Sequence, residues 1–265
     1  MAVEVQEPTQ DTRDIWAAAL KAAAGVARQA ASNEEDLVRA ITDELRRLKL
    51  RGGVALLDDH GQLVMRGRAL NASIERRLRK LTGQPLEGYR FDLERVDAYR
   101  RALEDRQAVF ESDNTEIVAQ MIPEALSALL PRIMRLLGTQ PVIVAPLILD
   151  DKTLGAINVT TSWLTTDDIP MVEALADHIA IALGHVRART KMNEALEREK
   201  LRNQVIEVVA SSLDLSDVLK RVLDLAVEVV QADAGAIGLI TPDGNSVTYP
   251  YLIGLPGSLK REPTP

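Results

Sequence analysis

The feature that most constrains the fold of this chain is a pair of apolar segments, separated by a short polar turn and followed by a helix. The segment from Val142 to Leu149 is almost entirely apolar, rich in β-branched residues and too short for a buried helix, so it predicts a strand covered on both faces. Asp150 to Lys152 supplies turn residues, and Leu154 to Val159 predicts the return strand. Thr165 to Asp168 offers side-chain oxygens to the free amides of a helix start. The predicted order is therefore strand, turn, strand, capped helix.

The helical pattern that follows is long, from about Asp167 to about Ser211, with no proline after Pro170. At 1.5 Å per residue it would span roughly 65 Å, which exceeds the diameter of one small domain. An apolar stripe with steps of four and three residues runs along its first part and consists of Leu175, Ile179, Ala182 and Val186. Such a stripe either packs on its own domain or forms a seam with a partner helix, and both alternatives stay open here. Beyond Arg187 a partner helix is the better explanation.

The chain also resembles itself. The sequence from Asp36 to Gly61 is similar to that from Asp217 to Gly244, with an offset of 181 residues at the first pair of positions and 183 at the last. In both copies an amphipathic helix precedes two strands that a polar turn joins. The second copy contains only the opening of the unit, so we expect a tandem repeat with a truncated second member.

The remaining segments complete one α/β (α+β) domain. Ile15 to Ala30 is an alanine-rich helical pattern, and Ser32 to Glu35 predicts a capping box that opens a helix from about Glu34 to Leu50. We further expect a strand at Tyr89 to Leu93, a helix at Glu94 to Asp105 and a strand at Ala108 to Glu111. The predicted organisation is an N-terminal tail and helix at 1–31, a domain at 32–187, a linker helix at 188–212 and the truncated copy at 213–265.

Composition excludes several classes of function. The net charge of −7 and the lack of a basic stripe argue against nucleic-acid binding. The acidic N-terminus has no apolar core, and no apolar run approaches the length of a bilayer span, so we expect a cytoplasmic protein without a secretory signal or membrane span. The absence of cysteine removes thiol catalysis and thiolate metal sites.

Several segments together resemble a GAF domain. These are Gly88 to Leu93, Tyr99 to Phe110, Val144 to Leu149, Leu154 to Val159, and Leu164 to Asp168 with Ala174 to Leu183. The resemblance implies a six-stranded antiparallel sheet flanked by helices, a parallel homodimer formed through the flanking helices, and a ligand pocket under the segment between the third and fifth strands. Tandem GAF domains joined by long helices resemble the sensory half of bacterial histidine kinases, diguanylate cyclases and related regulators.

The resemblance also bears on the ligand. Cyclic-nucleotide-binding GAF domains carry an Asn, Lys, Phe, Asp, Glu signature, of which this chain retains Asn158 and Asp168 but has Val159, Leu164 and Ile169 at the other three positions. Bilin-binding members need a cysteine for the thioether, and this chain has none. A haem needs an axial histidine, whereas the three histidines are expected in a hairpin turn (His60) and on a helix surface (His178 and His185). The cofactor therefore stays unknown, and neither haem nor a cyclic nucleotide is favoured.

The resulting hypothesis is a signal-sensing module that binds a small ligand or partner and relays the signal through a dimeric linker helix to an effector. A ligand-free dimerisation scaffold is the alternative, and no nucleophile and base pair, phosphate loop or phosphoacceptor box suggests an enzyme. Apolar side chains of the expected pocket region, together with one polar residue, are the candidates for the ligand site: Phe91, Tyr99, Phe110, Met121, Leu130, Ile143, Val144 and Asn158.

Overall fold

A computed structural model describes residues 10–28, 33–85, 87–210, 215–242 and 244–255 of the chain. The described chain divides into two compact units, Met1–Thr190 and Lys191–Pro265. The boundary between them falls within the long helix, three residues beyond the predicted end of the first domain.

The first unit alternates helices and short strands before it ends in two long strands and a long helix. Its α-helices are α1 Gln10–Arg28, α2 Glu34–Arg47, α3 Ala72–Thr82, α4 Asp97–Asp105, α5 Thr115–Met121, α6 Leu130–Leu137 and α7 Ile169–Ala210. Its strands are β1 Arg51–Leu57, β2 Leu63–Ala69, β3 Arg90–Phe91, β4 Val109–Glu111, β5 Val142–Leu149 and β6 Lys152–Thr160. Three 3₁₀ turns, Leu93–Arg95, Glu124–Leu129 and Thr166–Asp168, connect or precede these elements.

The six strands form one sheet in the order β3-β2-β1-β6-β5-β4, and every neighbouring pair is antiparallel. This confirms the predicted six-stranded antiparallel sheet. The two strands that most constrained the fold, β5 and β6, pair along their whole length from Val142 with Thr160 to Leu149 with Lys152. Both are interior strands, which explains their nearly continuous apolar sequence.

The sheet is covered on both faces. On one face, side chains of β1, β5 and β6 pack with α1, α2 and α7 into the larger core, which we call the helix-face core. On the other face, Leu63, Met65, Ala55, Val144 and Ala156 pack with α4 and α5 into the cavity-face core. A third, smaller cluster joins α3 and α6 through Leu70, Leu78 and Ile133.

The predicted start of α2 at about Glu34 is confirmed, whereas the predicted start of the helix at Glu94 is wrong. The N-cap of α2 is Asn33, whose Oδ1 accepts a hydrogen bond from the Asp36 amide at 2.9 Å. The expected Ser32 lies outside the described residues. The helix expected at Glu94 to Asp105 is divided, because Asp92 caps a separate 3₁₀ turn and Val96 leaves the helical region at φ −112° and ψ 90°.

The start of α7 is fixed to the N-terminal helix by a buried hydrogen bond. The Trp16 indole Nε1 donates to Asp168 Oδ1 at 2.8 Å, and the Thr165 amide donates to Asp168 Oδ2 at 2.9 Å. The Trp16 ring also meets Trp163 edge to face, with 5.9 Å between ring centroids. The structure therefore confirms the predicted helix start at Thr165 to Asp168 and adds a tertiary role for Asp168.

The predicted apolar stripe of α7 packs on its own domain. Four side chains, those of Leu175, Ile179, Ala182 and Val186, belong to the helix-face core and are at most 8% exposed. Gly184 brings α7 so close to β5 that a Cβ atom there would lie 2.0 Å from Leu149 Cδ2. Because the stripe is filled by its own sheet, it does not face a partner helix.

Helix α7 bears on the expectation that the chain contains no membrane span. The segment Thr166–Gln204 is long and apolar enough to cross a bilayer, judged by length and composition alone. Most of the apolar side chains between Val172 and Val186 cover the sheet, whereas Ile181 is 45% exposed. Packing in the domain core thus accounts for much of this apolar composition.

The second unit contains one helix and one hairpin in its described part. Helix α8, Leu215–Val230, precedes the antiparallel strands β7 Gly235–Ile240 and β8 Val247–Ile253. The helix packs closely on the hairpin, since a Cβ atom on Gly235 would lie 2.6 Å from Val227 Cγ2. Helix, strand and strand follow one another as α2, β1 and β2 do in the first unit.

Candidate functional site

A bulge in β2 determines which side chains face the cavity side of the sheet. Val54 of β1 pairs with Gly67, whereas the next residue, Ala55, pairs with Met65, so the register skips Arg66. An extra residue reverses the alternation of side chains in the remainder of the strand. Gly67 consequently packs against α2, and a Cβ atom there would lie 2.5 Å from Val38 Cγ1. Arg68 is thereby placed on the cavity side.

The cavity lies between this face of the sheet and the helices α3, α5 and α6. It has two adjacent lobes of about 70 Å³ and about 60 Å³. The larger, which we call the apolar lobe, is lined mainly by apolar side chains: Leu78, Pro85, Tyr89, Val118, Met121, Ile122, Pro123, Leu126, Ile133 and Leu137, with Arg68, Thr82 and Gln84. The smaller, the polar lobe, is lined by Arg51, Gly52, Arg68, Leu70, Asn114, Ile117, Val118, Met121, Leu137, Val142, Asn158 and Thr160.

The polar lobe is cationic. Arg51 and Arg68 line it, and no Asp or Glu is among the described residues that line either lobe. Burial lowers the pKa of both guanidinium groups below its ordinary value. The Arg51 guanidinium donates to Gln140 Oε1 at 3.4 Å. These groups still carry charge at neutral pH, because the ordinary pKa of arginine lies so far above it.

Two buried polar atoms near this region have no hydrogen-bond partner within the described parts of the chain: Asn158 Oδ1 and the Tyr99 hydroxyl. Asn158 lies on β6 opposite Gly53, whose missing side chain leaves the amide oxygen room. Burial raises the pKa of Tyr99 to about 12, and the neighbouring positive charge of Arg68 opposes this shift. Unpaired buried polar atoms are rare in folded proteins and indicate a place where water or a ligand completes the hydrogen bonding.

The structure brings together some of the sequence-predicted site residues. Met121 lines both lobes and Asn158 lines the polar lobe. Phe91, Tyr99 and Val144 belong to the core on the same face of the sheet, where the Phe91 and Tyr99 rings meet edge to face at 5.2 Å.

The other three predicted residues lie elsewhere. Ile143 and Phe110 pack on the helix-face core, on the opposite side of the sheet. The reason is strand geometry, since neighbouring residues in a strand point to opposite faces and Val144 already faces the cavity side. Leu130 begins α6 but is absent from the described lining of both lobes.

Three important wall residues were missed by the sequence reasoning. Arg68 was missed because the bulge that places it there leaves no mark in the hydrophobic pattern. Val118, on α5, lines both lobes. Tyr89 borders the apolar lobe and donates its hydroxyl to the Met121 carbonyl at 2.5 Å, which ties the loop before β3 to the end of α5. The only sequence signal for Tyr89 as a wall residue was its position next to a glycine in a polar segment.

The described residues show no grouping of three or more His, Cys, Asp or Glu side chains that could hold a metal ion. His178 lies on α7, where its Nδ1 is 2.7 Å from the Ala174 carbonyl oxygen within the same helix.

Comparison with known families identifies the domain. A family model described as "GAF domain" matches residues 31–184, which is more than half of the chain. The chain belongs to the GAF domain family. The cavity lies in this GAF domain, next to the segment between its third and fifth strands. No curated protein matches the whole sequence significantly.

Solved structures agree with the GAF fold. The photosensory core module of the Stigmatella aurantiaca phytochrome has a TM-score of 0.56 and 15% sequence identity, over 96% of this chain and 51% of that one. The bacteriophytochrome RpBphP3 from the photosynthetic bacterium R. palustris has a TM-score of 0.57 and 12% identity, over 92% and 51%. At such low identity the likeness concerns the fold alone. The chain spans about half the length of these two proteins.

Proposed function

We propose that the GAF domain is the ligand-sensing part of a cytoplasmic signal-transduction protein, and that α7 transmits the state of its cavity. No catalytic step is assigned to this chain. The proposal is supported chiefly by strand β6, whose two faces serve both the cavity and the helix. Membership of a family of sensory domains supports it further.

The coupling follows from the alternation of side chains in β6. Asn158 and Thr160 line the polar lobe, whereas the alternate residues Ile157 and Val159 pack in the core that α7 covers. A ligand that displaces β6 on one face therefore alters the packing surface of α7 on the other. To shift α7, the ligand needs only to bind more tightly to one of two arrangements of this helix than to the other. Each arrangement must itself be well packed.

We further propose that the protein forms a parallel homodimer through a second stripe of α7. Residues at alternating steps of three and four lie on its outer side and are exposed or half-buried: Met171, Ala174, His178, Ile181, His185 and Ala188. Met171 and Ile181 are 41% and 45% exposed. The spacing is that of a heptad seam, which two parallel helices bury together. In sequence the same spacing continues at Met192 and Ala195.

The second unit is proposed to be the opening of a second GAF copy. Its hairpin turn resembles that of the first unit, since the Gly61 amide donates to the Asp58 carbonyl and the Gly244 amide donates to the Thr241 carbonyl. Both glycines have positive φ, 76° and 74°. An effector such as a histidine kinase or cyclase domain would receive the signal.

A ligand-free dimerisation scaffold is the second candidate, and the size of the cavity favours it. Ligand pockets for drug-sized molecules usually measure about 300–1,000 Å³, well above either lobe. A scaffold would need the core and the outer stripe but not the cavity.

The sensor and the scaffold predict different results when a larger side chain fills the cavity. Val118→Phe fills both lobes from α5, and Val230→Phe, at a position 70% exposed, is its matched control. The full chain is screened by thermal shift against nucleotides, amino acids and organic acids, and any hit is followed by hydrogen exchange. A sensor shows slower or faster exchange in α7 upon binding, and only Val118→Phe abolishes the response. A screen without hits, or a hit that persists in Val118→Phe, refutes the sensor proposal.

A further inference from the structure

The charges around the cavity restrict the kind of molecule that it can hold. Arg68 lines both lobes and has no hydrogen-bond partner for its guanidinium among the described residues. No carboxylate oxygen of the described chain lies within 4.0 Å of it. Arg68 is half-buried, and a cation that is partly removed from water without a counter-charge is costly, so such groups are normally paired. The missing counter-charge is what an anionic ligand would supply.

The charged groups near Arg68 determine how much negative charge the ligand should carry. Arg51 adds a second cation to the polar lobe. Glu75 of α3 is the carboxylate whose negative charge acts on Arg68, although the two groups do not form an ion pair. Two cations opposed by one more distant anion leave roughly one positive charge to neutralise. A singly charged anion fits this balance better than a phosphate dianion.

The apolar lobe adds a second requirement. Its wall next to Arg68 consists of apolar side chains such as Leu78, Val118 and Ile133, so a bare inorganic anion would leave this surface without contacts. The two adjacent lobes together approach the volume of the roughly 150 Å³ cavity that accepts benzene. The ligand body is therefore about one ring or one short branched chain.

We propose that the GAF cavity binds a small organic monocarboxylate, with its carboxylate on Arg68 and its single-ring or short branched body in the apolar lobe. This inference rests on the proposed sensor function of the same cavity. Arginine suits the role because its planar donors match the geometry of a carboxylate. Asn158 lines the polar lobe, where its unpartnered Oδ1 is an acceptor that a water molecule, rather than the carboxylate, would satisfy.

The test uses benzoate and 3-methylbutanoate as probes on the full chain. Their amides, benzamide and 3-methylbutanamide, keep the shape but remove the charge, and inorganic phosphate supplies charge without an apolar body. We expect calorimetric binding of at least one carboxylate, at least tenfold weaker binding of the corresponding amide, and no binding of phosphate. Equal binding of acid and amide overturns the inference, as does binding of phosphate at comparable affinity.

A matched pair of arginines tests the assigned residue. Arg68→Gln should weaken carboxylate binding at least tenfold while leaving amide binding unchanged, and Arg68→Lys should lose less. Arg66→Gln is the control, because the bulge leaves Arg66 exposed and two residues away in sequence. Circular dichroism verifies that each variant is folded. An equal loss in both glutamine variants would show a general effect of surface charge and overturn the assignment.

The outcomes separate this inference from the sensor function on which it rests. If neither carboxylate binds while another compound of the wider screen does, and Val118→Phe abolishes that binding, the cavity is a sensor of a different ligand class. If no compound binds at all, both the sensor function and the ligand class fail.

Discussion

The buried hydrogen bond between Trp16 and Asp168 should contribute a measurable part of the stability of the GAF domain. Asp168 is 5% exposed and Trp16 is 3% exposed, so neither group is solvated after its partner is removed. A hydrogen bond to a charged group contributes about 1.5–3 kcal/mol, and an unsatisfied buried donor costs about 1–3 kcal/mol. Asp168→Ala should therefore lower the free energy of unfolding by about 3–4 kcal/mol. For a domain of this size, that corresponds to a decrease in Tm of roughly 6–16 °C.

A double-mutant cycle isolates the interaction. Asp168→Ala, Trp16→Phe and the double variant are unfolded in urea and followed by far-ultraviolet circular dichroism, and we expect a coupling free energy of about 2 kcal/mol. Asp167→Ala is the control, since Asp167 is an exposed carboxylate at the same helix start and should cost less than about 1 kcal/mol. If the effects of the two buried substitutions add to within about 0.5 kcal/mol, this hydrogen bond does not hold α1 to the start of α7.

Three further outcomes follow from the packing. Gly67→Ala should lower the free energy of unfolding by about 1–3 kcal/mol, because its Cβ would lie 2.5 Å from Val38 Cγ1, and Val38→Ala should restore part of the loss in urea unfolding. Burial raises the pKa of Tyr99 to about 12, so the stability that the neutral phenol provides is complete below its unfolded pKa of about 10 and is lost as the pH rises toward 12. Tyr99→Phe should flatten this alkaline loss in unfolding experiments at pH 8 to 11.5, and an unchanged loss would contradict the assignment. Ile181→Lys should give a folded monomer in sedimentation experiments, whereas Ile179→Lys should unfold the domain, and a dimer that survives Ile181→Lys would exclude the outer stripe.

The fold was predictable because its strongest signals are local. The β5 and β6 pair, the caps of α7 and the order of the elements are set by residues that lie near one another in sequence. The placement of Ile143 could also have been predicted. Ile143 and Val144 are neighbours in one strand, and they cannot both face the cavity.

The cavity itself was less predictable, because it depends on contacts between distant segments. Arg68 faces the cavity only because β2 contains a bulge opposite β1, and a hydrophobic pattern does not reveal a bulge of this kind. The apolar residues of α7 posed a similar problem. Both Ile179 and Ile181 have heptad-like neighbours, and only the position of the sheet decides which of them is buried. The sequence of a helix does not show on which side of it the sheet lies.

The extra residue in β2 has a consequence for how such a domain can change its ligand. At its present length, β2 without this bulge would turn Gly67 toward the cavity and Arg68 toward α2. Moving the bulge past Arg68 would thus take the cation out of the cavity wall, although the residue itself would be unchanged. Substitutions adjust the affinity of a site step by step, but the position of one extra residue decides in a single event whether a charged or a neutral residue faces the cavity. Among homologous domains, the position of the bulge is therefore needed before the identity of the residue at this place can indicate the ligand charge.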